Sequence, residues 1–94
     1  MKIEGFIWYR DIVDKLLWKH NVTHEEVEEI FVNRPEYKFL EKGKIKKENL
    51  YSARGQTNAG RYLAVLFIYK QTKEALIVTA RDMDSKERKS YGKK

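Results

Sequence analysis

The sequence predicts an α+β domain of element order β-α-α-β-β-β-β-α, with two N-terminal helices packed on one face of an antiparallel sheet. Three observations predict it. Residues 62–69, Tyr-Leu-Ala-Val-Leu-Phe-Ile-Tyr, are all apolar or aromatic and lie between a Gly60 turn and a polar stretch. A run of that length, with β-branched and aromatic types, reads as a buried strand rather than a buried helix. A second apolar run, residues 75–80, follows five turn residues later, a spacing that suits a hairpin. Finally, the two segments with helical periodicity lie together ahead of the strand meander instead of alternating with strands.

Taken in order, residues 3–8 (Ile-Glu-Gly-Phe-Ile-Trp) read as a first strand, with Ile3 and Ile7 on one face and Phe6 and Trp8 on the other. Asp11 is the expected N-cap of a first helix over residues 12–20. Val13, Leu16, Leu17 and His20 fall at i, i+3, i+4 and i+7, one stripe toward the core. Asn21 suits the left-handed residue that closes a helix. Thr23 and Glu26 form a capping box, with Val22 and Val27 at the positions of a hydrophobic staple. Val27, Ile30 and Phe31 give the second helix its apolar stripe, and Pro35 ends it. Residues 37–41 form a strand and residues 42–47 a basic loop.

In residues 50–56, Tyr51, Ala53 and Gly55 line one face, and Ser52, Arg54 and Gln56 the other. The central strand 62–69 follows the turn at 57–60. Its Val65 and Phe67 are expected under Leu16, Leu17, Val27 or Phe31. Asp84 and Glu87 are spaced as the capping box of a short terminal helix carrying Arg88 and Tyr91.

At 94 residues, the chain is long enough for one domain, residues 1–94, with one core. There is no cysteine, so disulfides and thiolate metal sites are excluded, and a reducing cytoplasm is the expected compartment. No signal-peptide apolar region and no run of membrane-spanning length is present. Residues 1–41 carry six Lys/Arg against nine Asp/Glu, net −3; residues 42–94 carry fourteen against five, net +9. A basic half of this kind fits a polyanion, because each neutralised phosphate releases condensed counterions. It also fits a merely lysine-rich solvated surface.

The sequence has no phosphate-binding glycine loop, no HExxH, no paired histidine spacing and no thiol nucleophile. His20 sits at a helix C-terminus, where the dipole favours its protonated form, and a core or cap role is the more ordinary explanation of it. His24 lies in the first turn of the second helix. Arg61 flanks the central strand, Arg81 ends its partner, and Arg88 follows in the last helix. Their planar forks match phosphate oxygens, so these three are the expected anion-binding face.

The residues carrying these features resemble a known family. Lys19-His20-Asn21-Val22-Thr23, Glu26-Val27 and Ile30-Phe31 are similar to the KHGV…EA…VF opening of the BrnT family of bacterial toxins. Gly55-Gln56-Thr57, Gly60-Arg61, Thr79-Ala80-Arg81, Glu87-Arg88 and Tyr91 resemble its G-x-T…GR…SAR…ER…Y signature. The matches run in order over residues 8–91. The chain departs from the family where Tyr9 follows Trp8, where Ile12 and Leu16 replace polar residues of the first helix, and at Asn21 and Leu50.

The resemblance implies a RelE-like fold and a ribonuclease that inhibits translation. It also implies a DNA-binding ribbon-helix-helix antitoxin, with which the toxin forms a hetero-oligomer. RNA cleavage without metal or cofactor requires the 2′-OH to attack the adjacent phosphate. Arg61, Arg81 and Arg88 are then expected to converge on the phosphate, with His20, Glu87 and Tyr91 available for proton transfer. Lys19, Arg54 and Tyr91 are the expected RNA contacts, Tyr91 by stacking or simply by packing the last helix. Two other classes share these features: a catalytically silent nucleic-acid-binding module, and an interaction module whose basic face meets an acidic antitoxin segment.

Overall fold

The computed structural model describes residues 1–92. Its elements are β1 (Gly5–Ile7), α1 (Arg10–His20), α2 (His24–Val32), β2 (Glu36–Glu41), β3 (Leu50–Gln56), β4 (Tyr62–Tyr69), β5 (Glu74–Asp82) and α3 (Ser85–Ser90). The five strands form one sheet in the order β1-β5-β4-β3-β2, which puts the apolar run β4 at its centre. β2 through β5 are an antiparallel meander. β1, however, joins β5 in parallel, pairing Gly5 with Glu74, Phe6 with Ala75 and Ile7 with Leu76. The sheet is therefore mixed, which corrects the antiparallel expectation. Hairpins force antiparallel pairing, whereas β1 is separated from the meander by two helices and adds to a free edge unconstrained.

One face of the sheet carries the core. Ala53, Leu63, Val65, Phe67, Ala75, Ile77 and Ala80 are all buried and meet Leu16 of α1 and Val27 and Ile30 of α2. Phe31 packs edge-on against Phe67 at 5.3 Å, and Phe6 against Phe31 at 5.1 Å. Such pairs add to the area they bury because ring edges meet ring faces. α2 lies so close to β3 that a Cβ on Gly55 would stand 3.2 Å from the Ile30 Cβ, so the glycine admits the helix.

α1 begins two residues before the expected start. Its N-cap is Tyr9, with no side-chain cap, and Asp11 lies in the first turn, where a negative charge favours the dipole. Its buried line is centred on Leu16, with Ile12 packed alongside, while Leu17 is 52% exposed. Leu17 sits about 100° around the helix from Leu16, and α1 packs along β5 only through the Ile12–Leu16 side. The closing signals are found as expected. Asn21 adopts φ 53°, and Thr23 and Glu26 form the capping box over fully buried Val22 and Val27. Asn tolerates this left-handed conformation better than any residue but glycine, so Asn21 closes the helix without a glycine.

Candidate functional site

The second face of the sheet has no α1 or α2 over it. Its central strand reads from the sequence as a buried strand, yet here Leu66 and Ile68 are only half buried. Alternation puts two rows of residues on this face. The first row pairs Glu36, Arg54, Ala64 and Arg81 across four strands; the second pairs Lys38, Ser52, Leu66 and Thr79. α3 closes one end. Together with Leu40 and Glu87, both rows line a cavity of about 320 Å³, to which Glu36 alone does not contribute.

Arg54 and Arg81 flank the small Ala64 in direct register. Neighbouring strands lie about 4.8 Å apart, so the two backbones stand roughly 10 Å apart and both guanidinium groups can reach one anion. Arg81 donates from Nη1 and Nη2 to the two Glu87 carboxylate oxygens, at 2.6 and 3.0 Å, and from Nη1 to the Asp82 carbonyl at 3.0 Å. Three of its five N–H donors are thereby used. Its Nε–H and one Nη2 hydrogen have no partner among the described residues. Arg54 donates from Nη1 to Ser90 Oγ at 3.1 Å and lies 3.9 Å from Glu36.

Glu87 has a second role. It completes the α3 capping box by accepting from the Asp84 amide, while the Asp84 side chain accepts from the Glu87 amide. The Arg81 hydrogen bonds hold the Glu87 carboxyl below the usual carboxylate range, and Arg81 itself is pushed up by the same bonds. Beside this pair, the Arg88 guanidinium lies 4.3 Å over the Tyr62 ring, and Tyr91 meets Tyr62 edge-on at 5.8 Å. Burial raises the Tyr91 phenol above its ordinary value. Tyr91 is the C-cap of α3 rather than a residue within it.

Arg61 is not in the cavity. Nε and Nη2 grip Asp82 at 2.7 and 3.0 Å. Nη1 donates to the Asn21 carbonyl at 2.6 Å and lies 3.4 Å from Glu26, and Nη2 donates to the His20 carbonyl at 3.0 Å. All five donors are engaged. The two carbonyls belong to the C-terminal end of α1, which the helix itself leaves unpaired. Arg61 thus caps α1 and ties both helices to the end of β5. The same grip holds the Asp82 carboxyl below its ordinary range, with nearby His20 adding to the effect.

The corner that delivers Arg61 accounts for the Gly-x-Thr…Gly-Arg pattern. Thr57 Oγ1 accepts from the Arg61 amide at 3.0 Å, and Gly60 takes φ 91°, which L side chains rarely adopt.

Of the expected site residues, the cavity brings together Arg54, Arg81 and Glu87, while Arg88 and Tyr91 pack on Tyr62 and do not line it. Arg61 and His20 lie by the helical layer, so the three arginines do not share one cavity. Lys19 is exposed on α1, in that same layer. Sequence reasoning passed over Lys38, Ser52 and Thr79 as site residues. For Ser52 the signal was the polar alternation of β3; for Thr79 it was the residue two before Arg81, which shares its face. Lys38 gave no signal, because a lone lysine in an exposed strand is ordinary.

Among curated proteins, no relative matches this chain. A family model does match, over residues 8–87: the ribonuclease toxin, BrnT, of type II toxin-antitoxin systems. Those residues include both helices, the whole meander and every cavity-lining side chain, and the chain belongs to the BrnT family of type II toxin-antitoxin ribonuclease toxins.

Proposed function

We propose that this protein is a cytoplasmic endoribonuclease toxin with a RelE-like fold. It cleaves RNA without a metal and so inhibits translation, and a ribbon-helix-helix antitoxin neutralises it in a hetero-oligomer. The observation that carries the reading is the pair Arg54 and Arg81, set in register on either side of Ala64 on the uncovered face. Arg81 retains two free donors among the described residues, and rigid strands fix both arginines to the tolerance that electrostatic catalysis needs.

In the reaction, a ribose 2′-oxygen attacks the adjacent phosphorus and the bond to the 5′-oxygen breaks. The departing 5′-oxygen takes a proton from solvent water, and the products are a 2′,3′-cyclic phosphate and a 5′-hydroxyl. Negative charge gathers on the non-bridging oxygens, and Arg81 with Arg54 stabilises it. One such preorganised donor contributes about 100- to 1000-fold in rate. Glu87 lines the same cavity as an ionised carboxylate and is the acceptor for the 2′-OH proton. Its depressed basicity limits the rate, which suits a slow toxin better than a digestive nuclease. Arg88 and Tyr91 flank the RNA path, and Arg61 with His20 holds the frame.

The test is incubation of purified protein with end-labelled RNA, with and without EDTA. The expected products carry cyclic phosphate and 5′-hydroxyl ends and form equally in EDTA. Cleavage abolished by EDTA, or absent altogether, overturns the reading.

A further inference from the structure

We propose that the second row of the cavity, Lys38, Ser52, Leu66 and Thr79, is a nucleobase subsite that accepts bases bearing a carbonyl oxygen and discriminates against adenine. The inference rests on the ribonuclease reading of the same cavity and goes beyond it by naming the substrate feature read there. Along each strand the second row stands two residues from the arginine row, roughly 6.6 Å. That is close to the reach from a phosphate across its ribose to the base. A phosphate held between Arg54 and Arg81 therefore directs a neighbouring base onto Leu66.

The chemistry of the row fits a base rather than a second phosphate. Leu66 forms an apolar floor and the exposed Leu40 an apolar wall, surfaces that suit the face of a base. Ser52 is 9% exposed, and neither its hydroxyl nor that of Thr79 has a side-chain hydrogen-bond partner among the described residues. Both hydroxyls line the cavity and remain accessible there, so each can donate to or accept from a ligand. Lys38 adds an ammonium, which only donates. The two hydroxyls can donate or accept and so read any base. The Lys38 ammonium instead meets a carbonyl oxygen on guanine, uracil or cytosine, whereas adenine presents its N6 amine at the equivalent position and accepts only through ring nitrogens.

The experiment uses the full chain and ten-residue oligonucleotides that are 2′-O-methylated except at one cleavable position, which is A, G, U or C. The expected result is cleavage of the adenine oligonucleotide slower than the best by roughly tenfold, about the effect of one unmade hydrogen bond to a charged group. Lys38→Met should flatten that ratio to within about twofold, while the pair Ser52→Ala, Thr79→Val should slow cleavage at all four bases alike. Where the pair fails to fold, by circular dichroism, Ser52→Ala alone and Lys38→Met carry the test.

Equal cleavage at all four bases overturns the subsite, and so does a preference that survives in Lys38→Met. Fully 2′-O-methylated oligonucleotides, read by fluorescence anisotropy, separate the two readings. Base-dependent binding that Lys38→Met flattens, without cleavage, sustains the subsite and removes the ribonuclease. Absence of both cleavage and base-dependent binding removes both.

Discussion

Arg61 and Arg81 look alike in the sequence, each at a strand end beside the apolar hairpin, yet the fold uses them in opposite ways. Arg61 turns toward the helices and finds a partner for every donor: a carboxylate gripped at two oxygens, two helix-end carbonyls and Glu26. Arg81 turns to the uncovered face, where one carboxylate and one carbonyl leave part of its fork open. Charge and strand-end position are shared, so neither distinguishes the two. What does is which face alternation assigns and how many donors the native contacts leave.

Substituting the two arginines separately tests that comparison most directly. Arg81→Ala is expected to lower cleavage per folded molecule about 100- to 1000-fold, and Arg81→Lys should not restore it, because a point charge lacks the two-pronged fork. Rates normalised to folded protein decide it: near-normal cleavage by Arg81→Ala would reduce Arg81 to an anchor for α3. Arg61→Ala should do the reverse. Losing an arginine side chain that is three-quarters buried, against an Asp82 carboxylate that is 60% exposed, costs on the order of 1–2 kcal/mol, which for a domain this size lowers Tm by roughly 5–15 °C. Cleavage by the remaining folded protein should persist. A normal melting temperature with lost activity would return Arg61 to the catalytic group.

Acid should separate the two regions in the same way. The Asp82 and Glu87 carboxyls are both depressed, by hydrogen bonds from Arg61 and Arg81 respectively. A depressed carboxylate takes up its proton more readily in the unfolded chain. Its contribution to stability is therefore complete above the unfolded range of about 3.9 to 4.3 and is lost as pH falls below it. Melting temperature measured from pH 7 to pH 3 should fall steeply at the acid end. Asp82→Asn should flatten that slope while leaving cleavage at neutral pH nearly intact. An unchanged slope would mean that the Arg61–Asp82 grip adds nothing to folding.

Local rules were legible in the sequence wherever a residue acts on its own neighbours. The Thr23 and Asp84 capping boxes, the Asn21 helix closure and the β4–β5 hairpin depend on spacings of a few residues, and each is found where the sequence puts it. The readings that missed depend on distant partners. Leu17 has the right period for the core, but α1 meets β5 through the Ile12–Leu16 side. The parallel pairing of β1 follows from which sheet edge is left free. The grouping of the arginines failed for a related reason: all of them belong to the basic half of the chain, but only register and alternation assign Arg54 to Arg81 and send Arg61 to the other side.

The smallest effect expected lies where local and distant rules meet, at Glu26. Its Oε1 accepts from the Thr23 amide at 3.0 Å to complete the α2 capping box and lies 3.4 Å from Arg61 Nη1. Thr23→Ala should cost about 1 kcal/mol, the usual loss for an N-cap hydroxyl. If cap and clamp were independent, that cost would be the same with Arg61 present or absent. They share a carboxylate, and the capping box fixes the rotamer that Arg61 meets. Removing either should therefore weaken what the other contributes. A double-mutant cycle of Thr23→Ala and Arg61→Ala, by urea unfolding, is expected to show a coupling of about 0.5 kcal/mol or more. Additivity within about 0.3 kcal/mol would show instead that Glu26 serves the helix cap alone, and that Arg61 holds the helices through the His20 and Asn21 carbonyls without it.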